Sequence, residues 1–300
     1  MRLLTRSDFD GLACAALLKD MDVIDSWKFV HPKDLQDGLV EVTENDVLAN
    51  VPYVKGCGMW FDHHTSEGER VAEVPVKGLV QYIDSAAHVV YNYFKGQYDL
   101  TKFDEMLAAV DKVDAAKLTA EEIAAPTGWV LLGFVMDPRT GLGRFRDFRI
   151  SNYQLMEQLI DACRVKSIAE ILSLPDVKER TDLYHTQNAL FVDMLKQHTV
   201  TDRNVILTDL RGVAPIYSGN RFLVYSLFPR QNISIWVVDG KLKQNCSIAV
   251  GYSVLNRTSK RDVGSILLSY GGGGHKQVGT CQVDYDDTDR VIRELLEKLQ

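Results

Sequence analysis

Short apolar runs alternate with longer stretches of helical spacing through the first half of the chain. Residues 1–5, 26–30, 46–51 and 58–61 read as strands, the second and third closed by Pro32 and Pro52. Apolar side chains recur at helical spacing in the alanine-rich segment 12–18 and over 86–94, 103–113 and 129–135. Strand and helix in alternation predict an α/β domain built on a parallel sheet with both faces covered.

The pattern then changes. Helical spacing resumes over 152–163 and 177–197, and the second of these reads as a connector to a new domain. Beyond it come short β-rich runs at 205–207, 222–228, 233–238 and 247–254, separated by turn residues such as Gly219-Asn220 and Asp239-Gly240. In the last run Ser247, Ala249 and Gly251 share a face, which allows close packing or leaves room for a ligand. A helix over 261–270 carries Val263, Ile266, Leu267 and Tyr270 on one side and ends at Gly271-Gly272-Gly273-Gly274-His275. A closing helix over 288–299 turns Val291, Ile292, Leu295, Leu296 and Leu299 inward. The expected organisation is an α/β domain at 1–175, a helical connector at 176–200 and a smaller α/β domain at 201–300.

Composition narrows the functional classes. The 300 residues are 46% hydrophobic and 25% charged, as in an ordered globular protein rather than a disordered one. Five cysteines, at 14, 57, 163, 246 and 281, show no Cys-x-x-Cys spacing, which fits reduced thiols in a cytoplasm better than disulfides or structural zinc. The most apolar stretch, 128–136, falls short of the roughly 20 residues that span a bilayer, and no secretory pattern opens the chain. A net charge of -7 argues against broad duplex DNA binding, so an anionic substrate has to be met by local cations or metal. One local cationic stretch interleaves Arg139, Arg144, Arg146 and Arg149 with Phe145 and Phe148. It reads as a solvated loop or hinge, and alternatively as a grip on single-stranded nucleic acid.

Candidate chemistry gathers where predicted strands end. The first strand leads into Asp8-Phe9-Asp10-Gly11, and the apolar run at 58–61 leads into Asp62-His63-His64. Carboxylates and imidazoles of this kind bind hard or borderline cations or handle protons. In an open α/β sheet, ligands collect beyond the carboxyl ends of the strands, where Asp8, Asp10, Asp62 and His63 would all fall. Far downstream, successive glycines let backbone N–H groups converge on an anion, with His275 beside them as a donor.

These three motifs, in this order and spread over nearly the whole chain, resemble the DHH phosphoesterase superfamily with its DHH-associated C-terminal domain. That superfamily includes single-strand exonucleases, oligoribonucleases, cyclic-dinucleotide phosphodiesterases and inorganic pyrophosphatases. The resemblance implies a manganese-dependent phosphoesterase, with Mg²⁺ as the alternative ion. It implies metal ligation by Asp8, Asp10, His63 and Asp114, with Asp111 as the alternative three residues earlier on the same helical face. The implied catalytic group is Asp10, Asp62, His63 and His64, in which His64 faces substrate phosphate and Asp62 orients an imidazole. Substrate contacts are implied for His64, Gly272, Gly273, Gly274, His275, Arg257 and Arg221. The implied partners are a small anionic substrate or short single-stranded oligonucleotide and a second copy of the chain; a membrane is not among them.

Two positions depart from the family pattern. Leu4 or Arg6, depending on the alignment, stands where the first motif has a histidine, and Asn50 stands where the third strand has a bridging aspartate. Two divalent ions about 3.5–4 Å apart repel strongly, and a neutral Asn50 coordinates weakly without screening one from the other. Asp46, at the far end of that strand, is a poor geometric substitute. At most one tightly held ion is therefore expected. The expected function is hydrolysis of short oligonucleotides, cyclic dinucleotides or related phosphate esters. A non-catalytic nucleotide- or nucleic-acid-binding regulatory protein and an exopolyphosphatase-like enzyme are the alternatives.

Overall fold

The computed structural model describes residues 1–64, 71, 77–145 and 147–300, so Thr65, Ser66 and Arg146 lie outside the described residues. The chain divides into two compact units, Met1–Lys117 with Pro126–Leu183, and Leu118–Ala125 with Tyr184–Gln300. The long helix Pro175–His198, where the sequence predicts a connector, carries the boundary between them.

In the first unit β1 (Arg2–Thr5), β2 (Ser26–Phe29), β3 (Asp46–Ala49), β4 (Met59–Asp62) and β5 (Gly78–Val80) form a wholly parallel sheet in the order β2-β1-β3-β4-β5. Every residue of β3 and β4 is buried, as inner strands of a sheet with two covered faces require. Helix α1 (Phe9–Asp20) follows β1 and is buried without interruption from Phe9 to Leu18, its small Ala13, Ala15 and Ala16 permitting close neighbours. Pro32 ends β2 as expected and also opens a short helix, α2 (Pro32–Gln36), at a position where its missing N–H costs nothing. Two further helices, α3 (Ala86–Phe94) and α4 (Asp104–Asp114), pack against α1. Because β1 has β2 on one side and β3 on the other, the strand order reverses there and opens a crevice at the carboxyl ends of β1 and β3.

The second unit is built on a mixed sheet of β6 (Thr199–Asp202), β7 (Val205–Asp209), β8 (Ile233–Asp239), β9 (Asn245–Tyr252), β10 (Gly273–His275) and β11 (Val278–Asp284). Their order is β10-β11-β9-β8-β7-β6, with β7 and β8 parallel and the other pairs antiparallel. Its core joins Ile235, Val237, Ile248 and Val250 of the sheet to Val263 and Leu267 of α5 (Val263–Leu268) and Val291, Leu295 and Leu299 of α6 (Thr288–Leu299).

The structure corrects one expectation. The run 222–228 is a short helix, Leu223–Leu227, rather than a strand, entered through the Asn220 side chain, which accepts the Phe222 N–H at 3.0 Å. A short apolar run carries no periodicity that separates the two states. The glycine run is tied into the fold at both ends. The N–H groups of Gly271 and Gly272 donate to Leu268 O and Leu267 O, closing α5, and Gly273 to His275 enter a hairpin with β11. Among the described residues no helix is long and apolar enough to cross a membrane.

Candidate metal centre

The chain turns from β1 into α1 so tightly that a Cβ on Gly11 would lie 2.0 Å from the Arg6 carbonyl oxygen. That glycine lets the helix start directly on the strand end, which fixes both acids of the motif. Asp8 is the N-cap, its Oδ1 accepting the Gly11 N–H at 2.9 Å. Asp10 sits inside the first turn and is 2% exposed. Its Oδ2 accepts the Ala86 N–H at 2.9 Å and its Oδ1 the Ala87 N–H at 2.8 Å. Both amides belong to the first turn of α3, which has no internal acceptors for them. Asp10 therefore ties α1 to α3 and is held rigidly.

Strand β4 delivers the second cluster. Asp62 is fully buried, and its Oδ1 accepts the backbone N–H groups of His63 and His64 at 2.7 and 3.1 Å and faces His64 Nδ1 at 2.7 Å. The carboxylate thus orients His64 and places the proton on Nδ1. Burial disfavours the charged imidazole, but the bond to Asp62 and the charges of Asp62 and Asp114 outweigh it, so the His64 pKa is raised. His63 turns the other way. Its Nδ1 lies 3.0 Å from the Ile83 carbonyl oxygen, which can only accept, so Nδ1 carries the proton and Nε2 presents a lone pair.

That lone pair points at carboxylates. His63 Nε2 is 3.3 Å from Asp114 Oδ2 and 3.9 Å from Asp10 Oδ2, and is buried without a hydrogen-bond partner among the described residues. The ligating atoms of Asp10, His63 and Asp114 all lie within 4.8 Å of one another. A cavity of about 10 Å³, lined by Asp8, Asp10, Asp114, Asp137 and Arg139, adjoins them. Burial, followed by the charges of Asp114 and Asp8, pushes the Asp10 pKa well up against the pull of its two amides. Burial and Asp8 also raise that of Asp114, against the pull of His63, His64 and Arg139. A lone pair and two carboxylates converging on one small buried space repel one another unless a cation lies between them, so these residues fit a divalent ion.

Of the two alternatives on α4, Asp114 is the one beside His63. Asp111 accepts Ser85 Oγ at 2.6 Å and lies 2.7 Å from His88 Nδ1, fastening α4 to α3. His88 is thereby paired as a helix residue. Asp46 forms a two-pronged ion pair with Arg2 at the amino end of β3, away from the strand end that carries Asn50. Asn50 has left-handed backbone (φ 57°), which asparagine tolerates, and donates Nδ2 to Asp8 Oδ1 at 3.0 Å. Asp8 is thus held by donors, and it lines the cavity beside the group around His63.

Within the cationic stretch, Arg139 pairs with buried Asp137 through Nε at 2.8 Å and Nη2 at 2.8 Å and lines the cavity. Nothing in the local pattern singles out Asp137 or the Ala86 and Ala87 amides. The remaining predicted residues belong to the second unit: Arg221 lies over the Phe222 ring at 4.2 Å, Arg257 donates Nε to Val254 O at 3.1 Å, and His275 is exposed in β10. Two of the glycines there answer to packing. A Cβ on Gly272 would lie 2.2 Å from Thr280 O and one on Gly274 2.3 Å from Val278 O, whereas one on Gly273 meets nothing within 4 Å.

No family model and no curated protein matches the chain. Among solved structures it is similar to the pGpG-specific phosphodiesterase PggH from Vibrio cholerae, with 46% identity over 99% of this chain and 98% of that one, and a TM-score of 0.88. An exopolyphosphatase-related protein from Bacteroides fragilis matches at 12% identity over 99% and 91% of the two chains (TM-score 0.54). RecJ from Thermus thermophilus, solved with Mn²⁺, matches at 14% over 99% and 51% (TM-score 0.54); these last two likenesses concern the fold alone. The Asp-x-Asp-Gly and Asp-His-His strand ends, the parallel sheet that carries them and the full-length likeness to PggH agree: the chain belongs to the DHH phosphoesterase superfamily.

Proposed function

We propose that this protein is a metal-dependent phosphodiesterase that hydrolyses short linear dinucleotides of the pGpG class, using one Mn²⁺-like ion held by Asp10, His63 and Asp114. The observation that carries it is the His63 Nε2 lone pair, buried, unpartnered and aimed at two carboxylates. The full-length likeness to PggH supports the substrate class.

A bound divalent ion supplies charge for the phosphoryl oxygens and lowers the pKa of an attacking water. The protein's own groups do the rest. The Ala86 and Ala87 amides hold Asp10, and the Ile83 carbonyl fixes the His63 ring. His64, charged more readily because of Asp62, offers its Nε2–H to a phosphate oxygen. A binding-only role has one observation in its favour, the engagement of Asp8 by neighbouring donors.

A manganese-supplemented assay on pGpG, a cyclic dinucleotide, longer oligonucleotides and polyphosphate, run beside Asp10→Ala and His63→Ala, tests the assignment. The wild type should cleave the dinucleotide and both variants should not. Equal background rates in all three would leave only binding.

A further inference from the structure

Leu4 and Arg6 are the two residues that could stand nearest the start of the Asp8 motif, and the structure separates them. Leu4 is fully buried in β1 and packs with Leu48 and Trp60. Arg6, just beyond the strand, places Nε 3.1 Å from Asp8 Oδ2, with the arginine 40% and the aspartate 15% exposed. The other oxygen, Oδ1, accepts from Gly11 N–H and Asn50 Nδ2. Asp8 therefore has a cation on one oxygen and two neutral donors on the other. Its charge is balanced by a side chain, where an ion between two carboxylates would otherwise be needed.

The guanidinium has more to offer than one ion pair. Its five donors form a rigid fork suited to phosphate, and its approach to Asp8 is through Nε, which leaves both Nη groups for another anion. Among the described residues no acceptor takes them in hydrogen-bonding geometry. Resting on the phosphodiesterase reading above, we propose that Arg6 is a substrate-binding residue: a resident cation, anchored on Asp8, that takes a non-bridging phosphate oxygen where a second divalent ion would do so. Asn50 serves it by donating to Asp8, which an aspartate at that position does not do.

The test compares wild type, Arg6→Gln and Arg6→Lys, each with one equivalent of Mn²⁺. Inorganic phosphate binding is measured by calorimetry, Mn²⁺ content by elemental analysis, and KM and kcat on pGpG. Arg6→Gln should weaken phosphate binding by about 10- to 100-fold and raise KM in step, with Mn²⁺ content unchanged. Arg6→Lys keeps the charge on Asp8, and with it the fold, but lacks the fork, and should fall between the two. Phosphate affinity equal to wild type in both variants overturns the proposal, even if their melting temperatures drop. A wild type that binds phosphate through Arg6 yet cleaves nothing would instead remove the phosphodiesterase reading and leave Arg6 as an anion site.

Discussion

Replacing Asn50 by aspartate tests how the Asp8 side of the centre is balanced. The substitution is nearly isosteric, and the left-handed backbone at this position suits either residue. It exchanges a donor 3.0 Å from Asp8 Oδ1 for a second carboxylate at that distance. Two like charges about 3 Å apart repel by roughly 5 kcal/mol at an effective dielectric near 20. The Arg6 guanidinium on the other oxygen of Asp8 offsets part of this, and the lost hydrogen bond to a charged group adds to it, leaving a net cost of about 2–4 kcal/mol. For a chain of this size that lowers the apparent melting temperature by roughly 5–10 °C. The assay is a thermal melt in EDTA and in Mn²⁺, with bound metal counted by elemental analysis. Asn50→Asp should melt below wild type in EDTA and recover more on adding Mn²⁺, because a cation now relieves the repulsion. Equal melting of the two proteins in EDTA would refute this balance of charges around Asp8.

Three further outcomes are expected. Asp114→Ala should lose bound Mn²⁺ while keeping most of its stability, whereas Asp111→Ala should keep the metal and lose about 1–3 kcal/mol with the Ser85 and His88 contacts, read by elemental analysis and denaturant titration. Gly272→Ala should destabilise the second unit by about 2–4 kcal/mol, since its Cβ would collide with backbone, while Gly273→Ala should leave stability unchanged, read by urea melts of both variants. The carboxyl of Asp46 is held below its usual range: burial opposes this, but the Arg2 and Thr43 hydrogen bonds outweigh it. A depressed carboxylate stabilises the fold above its unfolded pKa of about 3.9, and the contribution disappears as pH falls through the lowered folded value. Asp46→Asn should therefore cost about 2 kcal/mol at pH 7, with partly exposed Arg2 limiting the loss, and the gap to wild type should close toward pH 3 in stability measurements.

Much of this molecule was legible in its sequence. Four of the five strands of the parallel sheet, the helices at 86–94 and 103–113, and the strand ends carrying Asp10 and His63 follow from periodicity and from polar residue types placed where apolar runs end. Local pattern suffices there because a buried strand and an amphipathic helix each repeat their signal over several residues. Where one or two residues decide, the tertiary structure was needed. Residues 223–227 are helical because burial and the turn that Asn220 makes with the Phe222 N–H outweigh a run with no period of its own. Gly272 and Gly274 are required by neighbouring backbone, and the Gly272 N–H closes a helix. The nearness of Asp114 rather than Asp111 to His63, of Arg6 rather than Leu4 to Asp8, and of the Asn50 amide to Asp8 rests on distances between segments remote in the chain. Sequence determines which groups a strand end carries; only packing decides which of them face one another, because that depends on how sheet and helices close around a space small enough for one ion.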